Sequence, residues 1–122
     1  MMNRYEYKND YKITLDASED HEVFVYVRGD GFYIEAVVDS INPISSANAS
    51  IDIYQTNRVF DDIGPDSSLT CSPIADTNIT VTEDDTYSLT TTSIPVSSKH
   101  IIWKWTSNNV VSGNVDLYIN TK

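Results

Sequence analysis

His100-Ile-Ile-Trp-Lys-Trp105 is the stretch that decides the fold. Ile101, Trp103 and Trp105 recur at every second position, with Lys104 between the two indoles. A period of two places all three on one face of a pleated strand, whereas a helix would turn Trp103 away from Ile101 and Trp105. The same alternation recurs outward along the chain. Val115-Asp-Leu-Tyr-Ile119 turns Val115, Leu117 and Ile119 inward, and Ser50-Ile-Asp-Ile-Tyr-Gln55 does the same with Ile51 and Ile53. Tyr11-Lys-Ile-Thr-Leu15, Asn78-Ile-Thr-Val-Thr82 and residues 86–92, centred on Tyr87 and Leu89, read as further strands. Val23-Phe-Val-Tyr-Val27 carries valines on one face and Phe24 and Tyr26 on the other, so both of its faces are expected to be covered. Gly29-Asp30-Gly31 offers the positive-φ residues of a tight turn, and Phe32-Tyr-Ile-Glu-Ala-Val-Val38 is expected to return as a hairpin partner.

The turn signals between these segments are spaced as in all-β sandwiches. Asp16 to Glu22 reads as a charged turn, residues 42–49 as a loop long enough to change sheets, Gly64-Pro65 as a break and Ile94-Pro95-Val96 as a corner. No segment has a 3.6-residue period and nothing repeats at a fixed interval. The expected architecture is all-β, a single β-sandwich, jelly-roll-like, of about eight antiparallel strands over residues 11–122. Residues 1–10 are polar and unpatterned apart from Tyr5 and Tyr7, and are expected to form a flexible N-terminal arm able to dock on a neighbour. Composition agrees with a strand-rich fold: Ile and Val total 24 residues against 9 for Leu and Ala, the reverse of a helical protein. At 122 residues, one domain is expected.

Eighteen Asp and Glu against eight Lys and Arg give a net charge of −10. That balance excludes a phosphate backbone or an anionic membrane surface as partner, so neither nucleic acid nor membrane is expected. Cys71 is the sole cysteine, which rules out an intrachain disulfide and a Cys-rich zinc site. No apolar leader region occupies the first ten residues, and no stretch approaches the length of a membrane span.

From residue 50 to 122 the order of elements resembles that of small β-sandwich virion proteins of tailed bacteriophages, the head-decoration (auxiliary capsid) proteins and related fibre or tail modules. The alternating Ile51-Asp-Ile-Tyr-Gln-Thr-Asn57 is followed by Phe60-Asp-Asp-Ile63 and the Thr-rich Ile79-Thr-Val-Thr-Glu-Asp-Asp85. Tyr87-Ser-Leu89, Lys99-His-Ile-Ile-Trp-Lys-Trp105 and a small-residue turn into Val115-Asp-Leu-Tyr-Ile-Asn-Thr-Lys122 complete it. The resemblance implies a non-enzymatic capsid decoration protein on the outer head surface. Its partner would be the major capsid protein or other virion subunits, with a homo-oligomer as a further arrangement. It would be made in the host bacterial cytoplasm and end on the particle surface.

Catalytic signals are thin. His21 falls in the charged turn and His100 on a strand's outer face; no Gly-x-Ser-x-Gly elbow is present, and Cys71 has no histidine near it in sequence. Asp61, Asp62 and Asp66, or Glu83, Asp84 and Asp85, are oxygen-rich enough to raise the question of calcium, but neither set has EF-hand spacing and both read as solvated turns. No catalytic residue, metal or cofactor is expected. Arg28-Gly29-Asp30 spells an integrin-type triplet that the turn alone explains, and Asn48-Ala-Ser50 and Asn78-Ile-Thr80 are formal glycosylation acceptors. The aromatic residues remain. Tyr33, Tyr54 and Tyr118 alternate against the Ile/Leu faces and, with Tyr5 and Tyr7, are the expected interface. The alternative function is a carbohydrate-binding module of a fibre or tail protein that stacks host glycans on Trp103 and Trp105, although their spacing places both in the core.

Overall fold

A strand with one apolar face must bury it against another layer, and this chain does so with two sheets packed face to face. The structure is a computed structural model that describes residues 2–27, 31–63, 71–73, 78–90 and 99–121. Its strands are β1 (Met2–Glu6), β2 (Ile13–Asp16), β3 (Asp20–Tyr26), β4 (Phe32–Asn42), β5 (Ala49–Thr56), β6 (Ser72–Pro73), β7 (Ile79–Val81), β8 (Asp85–Thr90), β9 (His100–Thr106) and β10 (Ser112–Thr121). One 3-10 turn, Phe60–Asp62, follows β5.

The first sheet runs β1-β3-β9-β5, with β6 and β7 both along the far edge of β5; the second runs β2-β10-β4-β8. The orders β3-β9-β5-β7 and β2-β10-β4-β8 are those of an eight-stranded double-sheet jelly roll, to which β1 and β6 are added. Pairing is antiparallel throughout except between β1 and β3. The core lies between the sheets. Val23, Val25, Ile51, Ile53, Ile101, Trp103 and Trp105 from the first sheet meet Leu15, Phe32, Ile34, Ala36, Val38, Val115 and Leu117 from the second. The indole Nε1 of buried Trp105 donates to the Ala17 carbonyl at 3.0 Å, which satisfies its one polar group.

Three sequence expectations are corrected. β3 and β4 are not a hairpin: β3 pairs with β1 and β9, and β4 with β10 and β8, in the opposite sheet. Two alternating strands satisfy their apolar faces equally well side by side or across the core, and glycine suits either kind of reversal. In this topology β2, β3, β4 and β5 alternate between the sheets. The flexible arm over residues 1–10 is corrected at Met2–Glu6, which is a strand in register with Asp20–Phe24 of β3. His21 lies within β3 instead of a turn and is buried, its Nε2 at 2.6 Å from the Asp16 carbonyl oxygen. The whole Arg28-Gly29-Asp30 triplet, Gly64, Pro65, Asp66 and the corner at 94–96 lie outside the described residues.

Opposite the start of β10, the β4 ladder shifts register between Ser112 and Asn114. Gly113 sits there at φ 134°, and a Cβ on it would stand 2.9 Å from the Ile41 Cα, so the bulge requires glycine. Asp84 accepts the Ser40 and Ile41 backbone N–H groups at 3.1 and 2.9 Å.

Candidate functional site

The outward faces of the two sheets are used in opposite ways. On the first sheet, Phe24 of β3 and Ile102 of β9 are paired neighbours that face away from the main core, yet both are buried. Phe60 of the 3-10 turn covers them, edge-on to Phe24 at 5.4 Å, while the His100 ring stacks on Phe24 at 4.7 Å. Arg4 of β1 completes the cover. Its Nε donates to Glu22 Oε1 at 2.8 Å and its Nη1 to the Ile63 carbonyl at 3.2 Å. What remains between Arg4, Glu22, Phe24, Phe60, Ile63 and Ile102 is a void of about 10 Å³, at the lower limit for one water. Burial holds the His100 imidazole below its usual pKa of 6.5; a bond with the Thr56 backbone raises it and Lys99 lowers it further.

On the second sheet the outward face is open. Its central strands are β10 and β4, and the register sets Tyr118 beside Glu35 and Asn120 beside Tyr33. The segment that links β1 to β2 rises beside this row as a wall. Tyr7 fixes the wall to both sheets: its backbone N–H donates to the Phe24 carbonyl at 2.9 Å and its hydroxyl to the Ile119 carbonyl at 3.0 Å. Burial, and then the nearby Asp10 carboxylate, raise the Tyr7 phenol above its ordinary pKa. Asn9 turns the chain at φ 63°, a left-handed conformation that asparagine tolerates, and brings Asp10 and Tyr11 round. Tyr11 is 86% exposed, and its ring meets that of Tyr118 edge-on, 5.6 Å between centroids and 81° between planes.

The result is an open groove of about 430 Å³, walled by Tyr7, Tyr11, Tyr33 and Tyr118. Asn9, Asp10, Glu35 and Asn120 supply its polar lining, and no Lys or Arg among the described residues lines it. Among the described residues, the side chains of Asn9, Tyr11, Tyr33, Glu35, Tyr118 and Asn120 form no hydrogen bond within the chain. Further along the same face, the Thr14 hydroxyl donates to Asp116 Oδ1 at 2.8 Å. The Tyr7 hydroxyl is committed to Ile119 and Asp10 Oδ2 accepts the Lys8 N–H at 3.4 Å, while the six side chains named above leave their donors and acceptors to solvent.

Of the five tyrosines expected at an interface, Tyr7, Tyr33 and Tyr118 come together here. Tyr5 lies on β1 with its ring 6.0 Å from that of His21, and Tyr54 lies on the first sheet beneath Lys104, whose Nζ is 5.8 Å from the ring. Trp103 and Trp105 are 1% and 0% exposed, so neither offers a face to a sugar and the glycan contact placed on them is corrected. Tyr11, Asn9, Asp10, Glu35 and Asn120 were not singled out by the sequence. Glu35 and Asn120 share the parity of Tyr33 and Tyr118 and were legible from it. Tyr11 shares the parity of Ile13 and Leu15, which points inward, but β2 begins only at Ile13 and the rule does not reach back to residue 11.

Among the described residues no group of three His, Cys, Asp or Glu side chains suited to an ion occurs. Asp84 is occupied with the bulge amides, and Asp85 Oδ1 accepts the Thr86 N–H at 2.8 Å.

No protein-family model and no curated protein matches the chain. Among solved structures it is similar to the periplasmic inhibitor of g-type lysozyme from Aeromonas hydrophila, at 9% identity over 98% of this chain and 97% of that one, with a TM-score of 0.37. That likeness is too slight to bear on fold or function.

Proposed function

We propose that this chain is a non-catalytic attachment module whose recognition surface is the tyrosine groove. The observation that carries this reading is a groove on the outward face of the second sheet whose walls are tethered and whose Asn9, Tyr11, Tyr33, Glu35, Tyr118 and Asn120 side chains form no hydrogen bond among the described residues. Ligand sites occupy roughly 300–1,000 Å³ and combine aromatic walls with a few placed polar groups, which describes this groove. Both histidines support a role without turnover, since His21 and His100 are buried on the first sheet, away from the groove.

The setting belongs to the same proposal. The order of elements over residues 50–122 resembles virion proteins, and jelly rolls recur in viral capsid domains, an argument by analogy alone. In that setting the module decorates the head, with the second sheet facing outward and the net charge of −10 keeping particles apart.

Quantitative mass spectrometry of purified particles should find the chain in many copies, and tyrosine-directed iodination of those particles should label Tyr11 and Tyr33. Particles without the chain would sink the virion setting. Shielded Tyr11 and Tyr33 would show that the groove docks on the shell instead of facing out. Release of reducing ends from an oligosaccharide by the pure chain would contradict the non-catalytic reading.

A further inference from the structure

We infer that the groove binds a neutral pyranose glycan. This rests on reading the groove as the recognition surface and adds the class of ligand. A pyranose has apolar C–H faces and a rim of hydroxyls that both donate and accept. Tyr11 and Tyr118 stand at 81° to one another, so a sugar ring stacked on one is bordered by the other. Around them the lining offers both kinds of partner. The carboxylates of Glu35 and Asp10 accept, the amides of Asn9 and Asn120 do both, and the phenols of Tyr33 and Tyr118 do both.

The charges narrow the choice. Two carboxylates and, among the described residues, no basic side chain line the groove, in a chain of net charge −10, so sialylated, uronic and sulfated glycans are repelled. A basic peptide would pair its cations with the two carboxylates and its backbone carbonyls with the amides and phenols, so oligolysine is the competing ligand that the experiment includes. A neutral sugar meets both sets. The site is also formed in advance: Tyr7 is tied to the carbonyls of Phe24 and Ile119, so its wall need not be ordered on binding.

Isothermal titration calorimetry of the full chain with maltotriose, lactose, mannobiose and diacetylchitobiose, each to about 10 mM, tests this. At least one is expected to bind, with affinity changing less than about twofold between 0.05 and 0.5 M salt, as roughly follows for an uncharged ligand. Tyr11→Ala is expected to weaken that binding roughly threefold to tenfold, the loss of one stacked ring. Tyr33→Ala is a second reading on the opposite wall. Because Tyr11 is almost wholly exposed, its replacement leaves the fold intact, which a circular dichroism spectrum checks.

The inference is overturned if none of the four sugars binds, if binding is indifferent to both variants, or if oligolysine or polygalacturonate binds in their place with steep salt dependence. Its failure is separable from failure of the proposed function. Silent sugars with Tyr11 and Tyr33 still open to iodination on the particle remove the glycan and keep the outward face. Shielded tyrosines with sugars bound by the free chain do the reverse.

Discussion

The outer face of the first sheet and the outer face of the second are built from the same pleat and serve different ends. The first carries Phe24 and Ile102 outward and roofs them with Phe60, Ile63 and the Arg4–Glu22 pair. The second carries Tyr33, Glu35, Tyr118 and Asn120 outward and leaves them uncovered except for the wall beside them. An outward apolar residue obliges the chain to supply a cover and becomes part of the stability. An outward tyrosine among carboxylates and amides tolerates water and stays available. The first face is closed over its apolar pair, and the second leaves its polar and aromatic groups to solvent.

Substitutions should separate the two faces. Phe24→Ala opens a cavity beneath Phe60 and His100 and is expected to lower unfolding stability by about 3 kcal/mol, read from urea midpoints at constant slope. Tyr33→Ala, an outward residue of the second sheet, should change it by under about 0.5 kcal/mol. Equal effects would erase the distinction. Next comes the ion pair. Arg4→Ala removes one partner of the buried Glu22 carboxylate and should cost about 2 kcal/mol, below the full figure for a buried pair because the Arg4 side chain is a quarter exposed. The double replacement Arg4→Met with Glu22→Leu should return to within about 1 kcal/mol of the parent, since hydrophobic pairs often substitute for buried ion pairs.

His100 gives a smaller effect with a defined sign. Its folded pKa lies below 6.5, so the unfolded chain binds the extra proton first as pH falls. The associated stability is fully present above about pH 6.5 and is lost as pH drops below it. Urea midpoints should therefore decline between about pH 7.5 and about pH 5.5, and His100→Gln should flatten that decline. A slope unchanged by the substitution would remove His100 as its source. Asp16 acts in a lower window: the Ser18 hydroxyl and N–H hold its carboxyl below 3.8, so its contribution is lost only in more acid solution. Smallest of all, Tyr11→Ala should leave stability within about 0.5 kcal/mol of the parent.

The parity of the strands carried most of the fold. Ile101, Trp103 and Trp105 announced an inward face, and so did Ile51 with Ile53 and Val115 with Leu117; all of these are buried. Which strands lie side by side was not legible, because β3 pairs with β9 across some eighty residues of chain and no local turn records that choice. The Gly-rich reversal after Val27 therefore pointed to a hairpin that the jelly roll does not contain. Tyr33 and Tyr118 were readable as outward residues, but their convergence with Tyr7 and Tyr11 depends on a wall placed by the β1–β3 pairing. That parallel pairing unites a polar, unpatterned segment with a core strand, and alternation gives no warning of it.

Amide chemical-shift mapping of the full chain, titrated in turn with the four neutral sugars, tests the central claim most directly. Perturbations should gather at Asn9, Asp10 and Tyr11, at Tyr33 and Glu35, and at Tyr118 and Asn120, while the first sheet stays quiet. Shifts centred on Phe24, Phe60 and Ile102, or none with any of the four sugars, would contradict it.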